Sequence, residues 1–337
     1  MIFFLVIGVQ LVLNLGIIGY RKHAAKLISF IEERSDCKIN FIYHPFKKLQ
    51  DSRYTNNFSD LYHCDAVLIS SPNDTHFQYM EKLIHNFSGY IFCEKPPTTS
   101  FDELEKLKKF SMKQKKKIFF NFMFRFSELN EIIKNEINSE RLGVFIHIDI
   151  IMSKGLAFKQ EYLDSWRADG KNNLHNILDA NAIHYIDLIN LHLEKIEKIH
   201  YIPSLVSKKG TSFDTSYIII EYENNVTLSV FNSYATPLIS EISIIGTNGH
   251  FTIRNNKLEI YSPRDSFDKE GLFSNPPKIY SVDFNLSNDV ENSLKKSLDF
   301  FINRAIMRQD IPIKYFDTSI NTNKIILKLK ETKINIK

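Results

Sequence analysis

Tryptophan occurs once, at Trp166, cysteine only three times, and the two signs of charge nearly cancel. Each scarcity excludes something. Cys37, Cys64 and Cys93 are an odd number with no metal-type spacing, which excludes a disulfide framework and fits a reducing, cytoplasmic setting. Lys+Arg 43 against Asp+Glu 39 leaves +4, too slight an excess for a dedicated nucleic-acid binder. Internal repeats and long low-complexity linkers are also missing. What is present is globular in proportion, with 43% hydrophobic and 24% charged residues and an aromatic share carried by 27 Phe and 15 Tyr. A chain of 337 residues exceeds one ordinary core and suits two domains.

The first twenty residues, MIFFLVIGVQLVLNLGIIGY, carry no charge. As a spanning helix the run is barely long enough and holds Gln10 and Asn14. As a signal peptide it lacks a leading positive charge, since the first basic residue is Arg21. The preferred reading makes Val12 to Gly19 the first strand of an α/β domain, with residues 1–11 an apolar extension before it. A membrane anchor in Met1–Leu13 is the alternative.

Beyond Gly19, helical spacing of Ala24, Leu27, Ile28 and Ile31 predicts a helix over Arg21–Glu33. Strands are expected at Lys38–Tyr43, Asp65–Ser70, Tyr90–Cys93 and Ile118–Asn121. Helices are expected at Thr75–Phe87 and Phe101–Lys113, the latter capped by Ser100 with Glu103 completing a capping box. This alternation predicts a Rossmann-like, doubly wound parallel sheet over residues 1–121. The pattern then turns β-rich, at Val144–Met152, Ser216–Glu223, Val226–Asn232 and Glu241–Ile245, with short turns between several runs. Helices at Asn176–Leu193, Val290–Arg308 and Thr318–Lys330 complete an α+β domain over 122–337 with a large, mostly antiparallel open sheet. Lys154–Asp169 and Ser262–Pro277 read as loops, and the lysines from Lys106 to Lys117 as a solvated helix end.

The turn Gly19-Tyr20-Arg21-Lys22-His23-Ala24 stands where a dinucleotide-binding fingerprint belongs. The first glycine and the final small residue are there; Arg21 replaces the second glycine, so a guanidinium would meet the diphosphate. At the end of the second strand, where a carboxylate would hold the ribose of NAD, the chain reads Tyr43, His44, Pro45, Phe46, Lys47, Lys48. That set of donors favours NADP over NAD, or else is a basic surface turn. His76, His147, His175 and His192 form no recognisable metal set, so no metal is expected.

Two stretches carry a family resemblance. Asp65-Ala66-Val67-Leu68-Ile69-Ser70-Ser71-Pro72-Asn73-Asp74-Thr75-His76 and Ile91-Phe92-Cys93-Glu94-Lys95-Pro96-Pro97 resemble signature segments of the glucose–fructose oxidoreductase / inositol dehydrogenase / rhizopine-catabolism (Gfo/Idh/MocA) family. Asn121–Phe126, Arg141–Val144, Trp166-Arg167, His184-x-x-Asp187 and Ile245–Gly249 also fit, so the resemblance runs from about Leu15 to the C-terminus.

The resemblance implies an NAD(P)-dependent oxidoreductase acting on a sugar, cyclitol or nucleotide-linked sugar. Gly19, Tyr20, Arg21, His44, Ser71, Pro72, Asn73, His76, Glu94, Lys95 and Arg167 would hold the cofactor. A lysine at the carboxyl end of a parallel strand lies in the crevice where such sheets bind ligands, so Lys95 would bond the reacting oxygen. His184 would move the proton. The family often has an acid four residues before this histidine; here that position is Ala180, and Asp179 serves only if the helix starts late or bulges. The competing expectation is a catalytically weakened member that binds a dinucleotide or sugar. By analogy the open sheet pairs subunits into a homo-oligomer.

Overall fold

A computed structural model describes residues 12–139, 141–193 and 195–331. The apolar extension, and with it any anchor in residues 1–11, lies outside them. Two compact units emerge: one runs to Phe122 and adds Lys295–Asn323, the other takes Met123–Leu294 and the chain from Lys324 onward.

In the first unit, β1 (Leu13–Ile18), α1 (Lys22–Glu32), β2 (Cys37–Tyr43), β3 (Tyr54–Thr55) and β4 (Ala66–Ile69) are followed by α2 (His76–Asn86) and β5 (Tyr90–Cys93). Helices α3 (Phe101–Lys108) and α4 (Met112–Lys115) lead to β6 (Ile118–Phe120). The strands form one parallel sheet in the order β3-β2-β1-β4-β5-β6. The charge-free run from Leu13 onward thus becomes the centre of the sheet, paired on both sides, which explains why Leu15, Ile17 and Ile18 are apolar and buried. Strands β4, β5 and β6 are buried throughout. Helix α1 buries the four apolar residues its spacing singled out.

The single helix expected over Phe101–Lys113 is broken. Ser111 accepts a hydrogen bond from Gln114 N at 3.3 Å while Gln114 Oε1 accepts from Ser111 N at 2.8 Å, so a reciprocal cap starts α4 afresh. At Ser100 the cap is one-sided: Ser100 accepts from Glu103 N, but the Glu103 carboxylate accepts from Thr99 N at 2.9 Å instead.

The second unit opens with α5 (Glu128–Ser139), absent from the sequence reading, and β7 (Phe145–Ser153). Short helices α6 (Gln160–Leu163) and α7 (Gly170–Asn173) precede a π-turn at Leu178–Ala182 that runs into α8 (Ile183–Asn190). Strands β8 (Ile196–Ser204), β9 (Thr215–Tyr222), β10 (Thr227–Ser233), β11 (Ile239–Gly246), β12 (His250–Arg254), β13 (Lys257–Tyr261) and β14 (Lys278–Asp283) follow. They form an eight-stranded sheet in the order β14-β13-β12-β11-β7-β10-β9-β8, antiparallel except for the β7–β10 pair. Helix α9 (Leu286–Ile306) and α10 (Ile313–Glu331) each contribute residues to both units. In the first, Phe301 packs edge-on to Phe92 with centroids 5.4 Å apart, and Phe316 lies 5.6 Å from Phe120. Phe92 and Phe301 are both fully buried, each contributing roughly 1.5–3 kcal/mol of apolar transfer.

Candidate active site

The carboxyl ends of β1, β2, β4 and β5 gather most of the residues singled out for cofactor binding. Gly19 leaves β1 at φ +109°, and a Cβ there would come within 2.5 Å of the Ser70 carbonyl oxygen, so only glycine fits. Tyr20 is 41% exposed. Arg21 occupies the N-cap of α1 with extended backbone, caps nothing with its own side chain, and no acid lies in the first turn. The helix therefore presents N–H groups and positive charge together, a donor set that fits a diphosphate. Because Arg21 needs no left-handed backbone, its guanidinium is compatible with the turn despite the missing second glycine.

His44 follows β2 and its Nδ1 accepts from Phe46 N at 3.3 Å and Lys47 N at 3.0 Å. That fixes the tautomer with the proton on Nε2. Burial, then the charges of Lys47 and Arg21, push its pKa below the usual value, so His44 is a neutral donor in a cationic corner. In the loop after β4, Thr75 Oγ1 donates to Ser71 Oγ at 2.7 Å and Thr75 N to the Pro72 carbonyl at 2.9 Å, shaping the Ser71-Pro72-Asn73 turn. His76 is fully buried, with Nδ1 2.8 Å from the Pro96 carbonyl and Nε2 2.9 Å from the Ser71 carbonyl. It braces the two loops against each other rather than reaching outward.

Lys95, half-buried, follows β5 and is joined to Pro96 by a cis peptide. Beside it Glu94 is buried, its Oε1 accepting from His23 Nε2 at 2.7 Å and Asn121 Nδ2 at 2.7 Å. Burial alone would raise the Glu94 pKa; the His23 charge, the two hydrogen bonds and the Lys95 charge together hold it down at about 2. Reciprocally, the Glu94 carboxylate raises the His23 pKa against the opposing effect of burial. Asn121 is itself held by Ser297 of α9, whose Oγ donates to Asn121 Oδ1 at 2.5 Å. A continuous relay thus runs Ser297–Asn121–Glu94–His23 and ends in the first turn of α1. Sequence reasoning quoted His23 in the turn and missed its partner, because no spacing rule connects residues 71 positions apart.

In the second unit the π-turn decides where Asp179 lies. Five residues along a regular α-helix rotate a side chain by about 140° relative to the first, whereas the extra residue of a π-turn reduces this to the ~40° of an i,i+4 pair. Asp179 therefore shares a face with His184, as a bulge was expected to allow. His184 is 6% exposed and stacks on Phe124 with centroids 5.0 Å apart. Asp179 accepts from Lys330 Nζ at 2.7 Å, an ion pair that nothing in the sequence announced. His175 donates to or accepts from Tyr201 OH at 3.2 Å, and burial, then Lys330, lower its pKa while Asp179 pulls it back. Asn181 donates to Asn232 Oδ1 at 2.8 Å. Asp187, on the same helix, is taken by Arg125, which donates from Nε at 2.8 Å and from its terminal nitrogen at 2.6 Å. The Arg167 guanidinium lies 4.8 Å from the Trp166 ring centroid. Among the described residues no three His, Cys, Asp or Glu side chains come together as a metal set, and no helix is long and apolar enough to cross a membrane.

A parallel sheet with the Gly19 turn and a lysine at a strand end, followed in the chain by a large open sheet, defines the class as a Rossmann-type nucleotide-binding fold with an added α+β unit. Residues 13–122 match the model of an oxidoreductase family with NAD-binding Rossmann fold, and residues 131–252 match the GFO/IDH/MocA C-terminal domain. The chain belongs to the Gfo/Idh/MocA family.

Solved structures share the fold. An oxidoreductase from Thermotoga maritima is 18% identical with a TM-score of 0.78, covering 95% of this chain and 96% of its own. One from Agrobacterium radiobacter, in complex with NAD+, L-tartaric acid and magnesium, is 18% identical with a TM-score of 0.75, covering 96% and 97%. A scyllo-inositol dehydrogenase from Lactobacillus casei with bound NAD(H) and scyllo-inositol is 20% identical with a TM-score of 0.73, covering 95% and 96%. No curated protein matches the sequence.

Proposed function

We propose that this protein is a nicotinamide-dependent oxidoreductase that interconverts a carbinol and a carbonyl carbon of a sugar, cyclitol or nucleotide-linked sugar. The observation that carries the reading is Lys95, set at the end of a buried parallel strand and flanked by the relay through Glu94. When bound, the dinucleotide supplies the acceptor or donor of hydride.

The residues of the chain do the rest. The α1 N-terminus and Arg21 hold the diphosphate against the Gly19 turn, with Ser71, Pro72 and Asn73 lining the crevice. Glu94, charged at all ordinary pH values, orients the Lys95 strand end. The Lys95 ammonium bonds the reacting oxygen and stabilises its negative charge. His184 takes the hydroxyl proton in oxidation and returns it in reduction, and Asp179 sets the electrostatics on that helix face. The cationic corner of Arg21, His44 and Lys47 supports NADP over NAD, because no carboxylate there holds a ribose diol.

A row of partly exposed apolar residues crosses four paired strands, Ile202, Tyr217, Phe231 and Ile151, and supports self-association through that sheet face. Three buried free cysteines accord with work in the cytoplasm. A second reading, a dinucleotide- or sugar-binding protein with little turnover, is motivated by Arg21 in place of glycine, by His44, and by Ala180 four residues before His184.

The test is to titrate the purified protein with NAD and NADP and then assay a panel of sugars and cyclitols by nicotinamide absorbance. Binding with substrate-dependent reduction supports the enzyme. Binding without turnover of any polyol supports the second reading, and no binding of either dinucleotide at millimolar concentration overturns the enzyme reading.

A further inference from the structure

Where β7 and β10 run parallel, their carboxyl ends deliver two loops side by side. Lys154 follows β7 and its backbone N–H bonds the Ser233 carbonyl at 2.9 Å, while Ala157 N bonds the Tyr234 carbonyl at 2.9 Å. Tyr234 is 2% exposed, and the Lys154 ammonium lies 5.9 Å from its ring centroid. From the other side the Arg167 guanidinium lies over Trp166, 4.8 Å from its ring centroid, and its charge reaches the Tyr234 phenol. Lys159 stands at the N-cap of α6, and its charge reaches Lys154.

The charges of these three side chains act on one another: burial, then Arg167, then Lys159 lower the Lys154 pKa, and no carboxylate offsets them. None of the three makes an ion pair among the described residues. Asp214, the carboxylate whose charge reaches the floor of this cluster at Tyr162, is taken up by the backbone N–H groups of Val206 and Ser207 at 2.9 Å each. Tyr162 is 1% exposed and packs edge-on to Tyr234 with centroids 6.0 Å apart, and its hydroxyl has no hydrogen-bond partner among the described residues. Holding three cations together without a counter-charge is unfavourable in an unliganded protein, so the arrangement is suited to an incoming anion. A guanidinium fork flanked by two ammonium groups matches a carboxylate or a phosphate.

We infer that Lys154, Lys159 and Arg167, over the Tyr162–Tyr234 floor, form a receptor for the anionic group of a saccharide substrate carrying a carboxylate or a phosphate. The saccharide part rests on the reading given under Proposed function; the anionic part rests on this cluster alone.

Equilibrium binding tests it without requiring turnover. D-glucuronate and D-glucose 6-phosphate, with D-glucose as the neutral control, are titrated by calorimetry into the full-length protein and into Lys154→Gln and Lys159→Gln. At least one acid is expected to bind ten or more times tighter than glucose, with each variant losing fivefold or more of that preference and Lys154→Arg retaining it. Comparison of the two acids separates carboxylate from phosphate recognition.

Equal affinity for charged and neutral sugars, no measurable binding of either acid, or variants that leave the preference intact overturn the proposal. So does a loss confined to NADP affinity, which would assign the cations to the dinucleotide. The wild-type comparison of acid with glucose stands even if a variant fails to fold. Acid binding by a protein that takes up no nicotinamide would preserve the receptor and remove the oxidoreductase reading instead.

Discussion

Replacing His23 with leucine removes the charge that keeps Glu94 ionised inside the first unit. Glu94 moves from an ordinary 4.5 to about 2 in the folded chain, and at ~1.4 kcal/mol per tenfold in acidity that displacement corresponds to about 3 kcal/mol. Asn121 and Lys95 account for part of it, and the His23 side chain is 45% exposed and so screened by water. About half, roughly 1.5 kcal/mol, belongs to His23, equivalent to a fall of about 3–6 °C in the melting temperature of a unit this size.

The pH dependence is the sharper test. A carboxylate with a depressed pKa contributes stability that is complete above pH 4.5 and lost as pH falls through about 2. A histidine with a raised pKa contributes stability that is complete below 6.5 and lost as pH rises through its folded value. The difference between wild type and His23→Leu should therefore be greatest between about pH 4.5 and 6.5 and shrink toward pH 9. Calorimetric melting across that range measures it. A difference that is flat, or larger at pH 9 than at pH 5.5, would refute the ion pair.

Lys95→Ala should lower kcat more than tenfold and leave dinucleotide affinity largely intact, read from steady-state kinetics beside a cofactor titration; unchanged turnover removes Lys95 from the mechanism. Gly19→Ala forces a Cβ against the Ser70 carbonyl at a left-handed φ, and should cost about 1–3 kcal/mol of stability by denaturant titration together with most dinucleotide binding. Arg125→Met strands the Asp187 carboxylate, 1% exposed in its side chain, and should destabilise the second unit by about 3–5 kcal/mol in urea. His44→Asp should weaken NADP relative to NAD; an unchanged ratio of dissociation constants would show that His44 does not face the ribose phosphate.

Local signals were enough for the first sheet. The apolar runs at Leu13, Ala66 and Tyr90, the helical spacing of Ala24 to Ile31 and the glycine at position 19 are short-range patterns that a buried parallel sheet imposes on each segment separately. Strands β8, β12, β13 and β14 escaped notice for different reasons: β14 is exposed along its whole length, β8 buries only Tyr201 and Pro203 near its end, and β12 and β13 alternate regularly but over just five residues each. Helix α5 was missed although it carries a buried face, Leu129, Asn130, Ile133 and Glu136, in which two of the four buried positions are polar.

The site divides the same way. Glycine at a left-handed turn, a lysine closing a strand and a histidine on a helix are legible in the linear chain, since each answers to its immediate neighbours. Which charges meet is not. His23 with Glu94, Asp179 with Lys330, Arg125 with Asp187 and the grouping of Lys154 with Arg167 bring together residues from 13 to 151 positions apart. Coulomb attraction and repulsion depend on distance in space, and distance in space is set by how strands and helices pack.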